Sequence, residues 1–265
     1  MTKLIHPTLS YQVRGVLLDV YNALGPMLKE EYYRDAIVIG LEKHGIMCKP
    51  EKDFEVYYEG ERVGLFYVDV WIEEGKILLE LKVAPSIEPI HKAQALSYLK
   101  VTDADLAVVA NYGSSSLDDV RLPNFLREKQ PAFEWQSKTT TEGLLYPDLV
   151  NHIQCACHRV HYSLGSGFLH QVYRRATMIE LRRSGLRYDY IKQLPVEYED
   201  QLLGYQDVRL ILEEEKVLLT VFAMKGNNDT LAEQLKAHLR SMNMKLGLLA
   251  NFYSTQLKLT PVRIG

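Results

Sequence analysis

The sequence predicts an α/β protein in which one domain of helices and strands is written twice. Two observations carry this prediction. Residues 6–125 align with residues 146–265 at a constant offset of 140 positions, without a gap. Each copy also has the same order of amphipathic helices and apolar alternating segments, which is typical of a sheet flanked by helices.

The internal repeat is clearest in three pairs of segments. ALGPMLKEEYYRDA (23–36) aligns with SLGSGFLHQVYRRA (163–176), EEGKILL (73–79) with EEEKVLL (213–219), and VVANYGS (108–114) with LLANFYS (248–254). About a quarter of the paired positions are identical, which an ungapped register of this length rarely gives by chance. We predict a first domain over residues 1–125, a linker over 126–141 and a second domain over 142–265.

The first two elements predicted in each copy are helices. In the first copy, residues 8–23 carry apolar side chains at helical spacing, such as Val13, Val16 and Val20. Gly25 and Pro26 end this helix. A second helix is predicted over residues 29–44, before Gly45, because glycine is common just beyond a helix C-terminus.

The remaining elements predict a sheet. Strands are predicted over residues 54–59, 62–71 and 76–83, followed by a helix over 89–100 and a strand over 105–111. Two helices, three meandering strands, a helix and a further strand fit an α/β domain with one sheet covered by helices.

Charge and composition limit the classes of function. Residues 1–150 carry 16 basic and 23 acidic groups, whereas residues 151–265 carry 15 and 11. This division hints at different roles for the two halves, and drift of a solvated surface explains it equally well. Apolar runs stay shorter than about 18 residues and the start resembles no secretory signal, so no membrane contact is expected. Three cysteines give no even disulfide framework, which favours a cytoplasmic location.

The segment YVDVWIEEGKILLELKV, residues 67–83, places charged side chains in apolar strands. Glu80 and Lys82 share one face of a strand, and Asp69 lies near Glu80 if the two strands pair across the turn. Adjacent carboxylates repel each other, and a divalent cation such as Mg²⁺ relieves that repulsion. A neighbouring lysine can position water or stabilise a phosphate oxygen. The pattern predicts metal-assisted phosphodiester hydrolysis, and the alternative is a charged cross-strand pair on a solvated sheet.

Three further residues are candidates for the same cleft. Glu30 begins the second helix, and Gln94 and Tyr98 share one face of the helix that follows the Glu-Leu-Lys strand. Each also has an ordinary structural explanation. An acid is favourable at a helix N-terminus, and the amide and the phenol fit a half-buried packing face.

Together, GPMLKEEYY, YVDV, LLELKV and HKAQALSYLK resemble the GxxExxY proteins of the PD-(D/E)XK nuclease superfamily. The resemblance covers almost the whole first copy, although the glycine of the naming motif falls at Met27. It implies two tandem restriction-endonuclease-like domains, each with a mixed central sheet flanked by helices. The implied site has Asp69 and Glu80 as ligands of Mg²⁺ or Mn²⁺, Lys82 as the catalytic lysine, and Glu30, Gln94 and Tyr98 as assisting residues.

The second copy departs from this pattern and is interpreted as a degenerate pseudo-domain. Its residues at the site positions are His170 for Glu30, Arg209 for Asp69, Thr220 for Glu80, Phe222 for Lys82 and His238 for Tyr98, with Gln234 retained. Its second helix carries four arginines, Arg174, Arg175, Arg182 and Arg183. They are predicted to bind nucleic-acid phosphates, and a solvated helix face is the alternative.

The sequence therefore predicts a metal-dependent nuclease-like protein that hydrolyses phosphodiester bonds at a single site in the first domain. Nucleic acid is the expected partner, with DNA favoured over RNA. The second domain would serve as a built-in partner in an intramolecular pseudo-dimer. The rival hypothesis is a non-catalytic nucleic-acid-binding module or protein scaffold that retains the nuclease fold.

Overall fold

A computed structural model describes residues 5–125, 132–136, 143, 145–226 and 228–265. Most of the predicted linker, residues 126–141, lies outside the described residues. The chain divides into two compact units, each containing most of one copy. The second unit also includes the turn Tyr57–Val63, and Gly165–Gly167 group with the first unit.

The first unit is a five-stranded sheet with three helices. Its elements are α1 (Pro7–Leu24), α2 (Glu30–Lys43), β1 (Cys48–Tyr58), β2 (Glu61–Ile72), β3 (Ile77–Lys82), α3 (Pro89–Thr102), β4 (Leu106–Asn111) and β5 (Asp118–Pro123). The strand order is β1-β2-β3-β4-β5. Strand β3 pairs antiparallel with β2 and parallel with β4, so the sheet is mixed. The parallel pair is joined through α3, as a parallel connection requires.

The two N-terminal helices cover one face of this sheet because their apolar residues recur at helical spacing. Val13, Leu17 and Ile37 are almost fully buried and pack in one cluster with Leu79 and Leu81 of β3. Alternation along a strand then turns the residues between them to the opposite face. The charged residues of β3 therefore lie on the face away from α1 and α2.

The second unit repeats the same architecture. Its elements are α4 (Pro147–Leu164), α5 (His170–Arg183), β6 (Tyr188–Tyr198), β7 (Gln201–Glu213), β8 (Val217–Phe222), α6 (Asp229–Ser241), β9 (Leu246–Asn251) and β10 (Lys258–Arg263). The strand order is β10-β9-β8-β7-β6, and β8 pairs parallel with β9. Two mixed sheets flanked by helices confirm the predicted fold class. None of the described helices is both long and apolar enough to cross a membrane.

One strand prediction for the first copy is wrong in extent, and one strand was missed. Strand β1 begins at Cys48 rather than residue 54, because Pro50 and its charged neighbours lie on an edge strand, where a missing N–H costs no ladder bond. Strand β5 was not predicted at all. Its sequence, DDVRLP, has two acids and a terminal proline, yet it pairs antiparallel with β4 along its whole length at the other edge.

A buried tyrosine fixes the loop before the second helix in both units. The Tyr33 hydroxyl accepts a hydrogen bond from the Leu28 N–H (3.0 Å) and donates to the Gly25 carbonyl (2.7 Å). At the equivalent place, the Tyr173 hydroxyl accepts from the Phe168 N–H (3.1 Å). The start of α2, and with it Glu30, is thereby held against the sheet.

Candidate active site

The site in the first unit forms where β2 separates from β3. The last paired positions are Val70 and Leu79, so the next residues along the two strands are Asp69 and Glu80. The Asp69 Oδ2 atom accepts a hydrogen bond from the Leu81 N–H at 2.7 Å. This carboxylate therefore replaces the strand partner that β3 loses, which explains why an acid sits in an otherwise apolar strand.

Glu80 and Lys82 form a close ion pair on the same face of β3. The Lys82 Nζ atom donates to Glu80 Oε1 at 2.6 Å, and the Glu80 side chain is only 4% exposed. Burial, and then the charge of Asp69, raises the pKa of Glu80 to about 8. Burial alone would lower the pKa of Lys82, but the surrounding carboxylates raise it above its ordinary value. The predicted closeness of Asp69, Glu80 and Lys82 is therefore present in the structure.

Glu30 joins this cluster from the first turn of α2. Its Oε1 atom accepts a hydrogen bond from the Val83 N–H at 3.1 Å. Glu30 and Asp69 thus accept hydrogen bonds from alternate N–H groups at the end of β3, those of Val83, just beyond the strand, and Leu81. Burial raises the pKa of Asp69, although the bond from the Leu81 N–H opposes that effect. Three carboxylates around one ammonium group have a formal charge of −2 when all are ionised.

Gln94 and Tyr98 contact each other on α3, as their spacing predicted. The Gln94 Nε2 atom donates to the Tyr98 hydroxyl at 2.8 Å, and the tyrosine ring stacks on Phe66 with centroids 4.3 Å apart. Within the described part of the chain, the Gln94 amide makes no hydrogen bond to the acids of β2 and β3. The structure therefore forms this pair but does not join its amide to the charged cluster.

Two residues that the sequence reasoning missed also shape the site. Asn111, fully buried at the end of β4, accepts a hydrogen bond from the Ala84 N–H (2.9 Å) and donates to the Ala84 carbonyl (2.8 Å). It fixes the chain that leaves β3 just after Lys82. Arg34 of α2 is close enough to lower the pKa of Asp69 slightly against the stronger effect of burial. The repeated Ala-Asn dipeptide was a signal for the asparagine, since Asn251 holds Met224 in the same way.

The oxygen ligands of this cluster fit a hard divalent cation, although the orientation of Glu80 does not yet suit a shared ion. Mg²⁺ and Mn²⁺ prefer carboxylate oxygens, and a bound divalent ion would supply the positive charge that lets all three carboxylates ionise together. Among the described residues, however, no three His, Cys, Asp or Glu side chains already converge on a metal position. Glu80 is turned toward Lys82, so it would have to reorient to share an ion with Asp69.

All four predicted phosphate-binding arginines on α5 have partners within the second unit. Arg175 donates to the Val63 carbonyl at 3.3 Å, and Arg182 and Arg183 form ion pairs with Glu61 and Glu59. Arg174 instead lies against the Tyr190 ring, 5.9 Å from its centroid. The acidic partners reduce the positive charge that Arg182 and Arg183 can offer to a phosphate.

Comparison with known proteins gives one family. The sequence model described as the PD-(D/E)XK nuclease superfamily matches residues 7–122 and again residues 147–264. Among solved structures, one titled "Crystal structure of SSO0001" is 15% identical, with a TM-score of 0.24, and the match covers 54% of this chain and 98% of that one. That likeness is too weak to carry an argument. No curated protein matches the chain significantly.

Proposed function

The chain belongs to the PD-(D/E)XK nuclease superfamily, and on that premise we propose that it hydrolyses phosphodiester bonds with a divalent metal at a single site in the first unit. One observation carries the proposal. The carboxylates of Glu30, Asp69 and Glu80 gather with the Lys82 ammonium group at the end of β3. The Lys82 Nζ atom lies 2.6 Å from Glu80 Oε1, and Asp69 accepts a hydrogen bond from the Leu81 N–H.

Each residue of this cluster has a role in the proposed reaction. Asp69 and Glu80 would hold the metal ion, Mg²⁺ or Mn²⁺. When bound, such an ion acts as a Lewis acid and lowers the pKa of a water ligand. The Lys82 ammonium, released from Glu80, would orient the attacking water or stabilise the negative charge that develops on a phosphate oxygen.

The remaining residues would position these groups. Glu30 holds the Val83 N–H with one oxygen, which leaves its other oxygen to bind the metal's water or a second ion. Gln94 and Tyr98 would contact the nucleic acid or order the site from α3. Glu30 and Tyr33 lie three residues apart, as in the GxxExxY motif, and this supports assignment to that group.

We further propose DNA rather than RNA as the substrate, and that the two copies act as an intramolecular pseudo-dimer. The second copy has no equivalents of Asp69, Glu80 or Lys82, since Arg209, Thr220 and Phe222 take their places. A single competent site cuts one strand at a time. The expected product from supercoiled plasmid is therefore the nicked circle, not the linear form.

The test compares plasmid nicking by the wild-type protein, Glu80→Gln and the matched control Glu233→Gln, each with Mg²⁺, with Mn²⁺ and with chelator. Glutamine can still accept a hydrogen bond from Lys82 but gives up the charge that holds the metal. We expect nicking to fall by about 100-fold or more in Glu80→Gln and to stay unchanged in the control. Glu233 is exposed on α6 and forms an ion pair with Lys236.

Equal nicking by wild type and Glu80→Gln would reject this site, because a contaminating nuclease would then account for the activity. Nicking that persists in chelator would reject the metal. Linear product at early times would contradict the single-site part of the proposal while leaving the metal site intact.

A second function, a non-catalytic scaffold that retains the nuclease fold, has its own supporting observation. Asp69 and Glu30 satisfy backbone N–H groups within β3 and just after it, and Glu80 is paired with Lys82, so each acid already has a structural use. Calorimetric titration with Mn²⁺ separates the two functions. Heat of binding that disappears in Asp69→Asn favours the nuclease, and absence of binding favours the scaffold.

A further inference from the structure

The second unit contains a cavity at the place that corresponds to the acidic cluster of the first unit. It has a volume of about 340 Å³, which is in the range of small-molecule sites. Its polar lining is formed by side chains at the former site positions: His170, Arg209, Thr220, Gln234 and His238, together with Arg174 and Asp207. The loss of metal ligands has therefore not filled this space with apolar side chains.

The charge of the site is reversed relative to the first unit. Where the first unit has Glu30 and Asp69, the second has His170 and Arg209. Among the described lining residues the only acid is Asp207, which lies 3.8 Å from Arg209 and accepts a hydrogen bond from Gln193. Two guanidinium groups thus face one carboxylate, an arrangement that favours a negatively charged ligand. Burial lowers the pKa of His170 and of His238, so their imidazoles are neutral hydrogen-bonding groups at neutral pH.

Arg174 gives the most direct sign of this reversal, because its counterpart is present in the first unit. There, Arg34 pairs with Asp35 and with Glu51, at 3.2 and 2.6 Å. In the second unit the equivalent positions are Arg175 and Ile191, so both acidic partners are gone. The retained guanidinium lines the cavity without an acidic partner among the described residues, and the Tyr190 ring supports it.

The remaining groups fit an anion with several oxygens. Arg209 uses Nη1 to donate to the backbone carbonyls of Lys192 and Val208, which fixes the guanidinium, and its Nη2 lies 3.8 Å from Asp207, beyond hydrogen-bond distance. The first turn of α5 begins His-Gln-Val-Tyr, whereas α2 begins with two glutamates. The N-terminus of α5, at His170, therefore lacks the acidic side chains that complement a helix dipole, and an anion in the cavity would complement it instead.

The other wall of the cavity is apolar, formed by Phe222, Met224 and Leu231 among others. A ligand that matches both walls carries a phosphate group at one end and a ring system at the other. We propose that this cavity binds the phosphomonoester group of a nucleotide, either free or at the end of a nucleic-acid strand. The proposal does not depend on catalysis in the first unit.

The test measures binding in chelator, so that the metal site of the first unit cannot contribute. Adenosine 5′-monophosphate, adenosine and inorganic phosphate are titrated by calorimetry. Labelled single strands with a 5′-phosphate or a 5′-hydroxyl are compared by fluorescence anisotropy. We expect binding that requires the phosphate. Preference for the mononucleotide identifies a free nucleotide, and preference for the phosphorylated strand identifies a strand end.

The variants assign this binding to the cavity. Arg174→Ala and Arg209→Ala should each weaken it about tenfold or more, because each removes a charged hydrogen-bond donor. His170→Glu adds a negative charge to the cavity while placing an acid at a helix N-terminus, where the first unit already has one, so it keeps the fold and should abolish binding. Arg240→Ala removes an equal charge from α6, outside the cavity lining, and should have no effect.

Four results would overturn the proposal. The first three are adenosine binding as tightly as the monophosphate, absence of phosphate-dependent binding by both probes, and unchanged binding in His170→Glu. The fourth is an equal loss in Arg240→Ala, since the binding would then reflect net charge alone. Circular dichroism melting of each variant separates loss of ligand from loss of fold.

Discussion

A buried, unpaired acid in the second unit leads to a prediction about stability. Glu213 ends β7 and has no exposed surface. Neither of its carboxyl oxygens has a hydrogen-bond partner among the described residues. Burial, with a smaller effect of Glu214, raises the pKa of Glu213 from 4.5 to about 8. The folded protein therefore holds a neutral carboxyl group here at neutral pH.

The stability of the second unit depends on pH because the pKa of Glu213 differs between the unfolded chain and the folded protein. Above pH 4.5 the unfolded chain releases the proton, while the folded protein keeps it until about pH 8, so stability falls as pH rises through this range. The cost to the free energy of unfolding is about 1 kcal/mol at pH 5, about 3 kcal/mol at pH 7 and about 5 kcal/mol above pH 8. The raised pKa of Glu80 has the same consequence in the first unit, where stability also falls as pH rises.

The perturbation is Glu213→Met, which keeps a long flexible side chain and removes the ionisable group. Urea unfolding is followed by circular dichroism at pH 5 and pH 8. The gain in stability over wild type should be about 3–4 kcal/mol larger at pH 8 than at pH 5. Glu233→Gln is the control. Its hydrogen bond from Lys236 lowers the pKa of Glu233, so its contribution is constant across this range. A gain that is the same at both pH values would refute the reasoning.

Two further predictions concern buried tyrosine hydroxyls. Tyr33→Phe removes an acceptor and a donor for two backbone groups of the loop before α2, and should lower the free energy of unfolding by about 1–3 kcal/mol in urea melts. An unchanged midpoint would show that water replaces the hydroxyl. Tyr58→Phe removes a buried donor to Glu180 (2.8 Å) and should cost a similar amount in the unfolding of the second unit. Exposed Tyr57→Phe serves as its control, and equal effects of the two changes would contradict this reasoning.

The parts of the site that the sequence could predict are those set by local geometry. Alternation along one strand and a tight turn suffice to bring Asp69, Glu80 and Lys82 together, and these rules hold whatever the rest of the chain does. The spacing of Gln94 and Tyr98 likewise fixes their contact on one helix face. Such features depend on a few neighbouring residues, so one sequence contains all the information that they need.

The parts of the fold and site that the sequence could not predict depend on packing between distant residues or on weak local patterns. The bond from the Val83 N–H to Glu30 joins residues 53 positions apart, and neither segment alone indicates it. Strand β5 is formed by DDVRLP because β4 offers a free edge, not because its own residues favour a strand. The unpaired state of Glu213 also needs the packed structure, since its neighbours Glu214 and Glu215 look equally polar in sequence.

The duplication acts as an internal control on what the second copy has lost. The hydrogen bonds that shape the site are retained. Asn251 holds the chain after β8 as Asn111 holds it after β3. Tyr173 repeats the loop hydrogen bond of Tyr33. Random loss of a metal site would remove charge and leave a neutral or collapsed pocket. Here the space remains and the charge changes sign, with Arg209 in the place of Asp69. Because the two guanidinium groups that line this half-exposed cavity outnumber its one carboxylate, an anion would neutralise the excess positive charge, and this reversed charge favours a new ligand over decay.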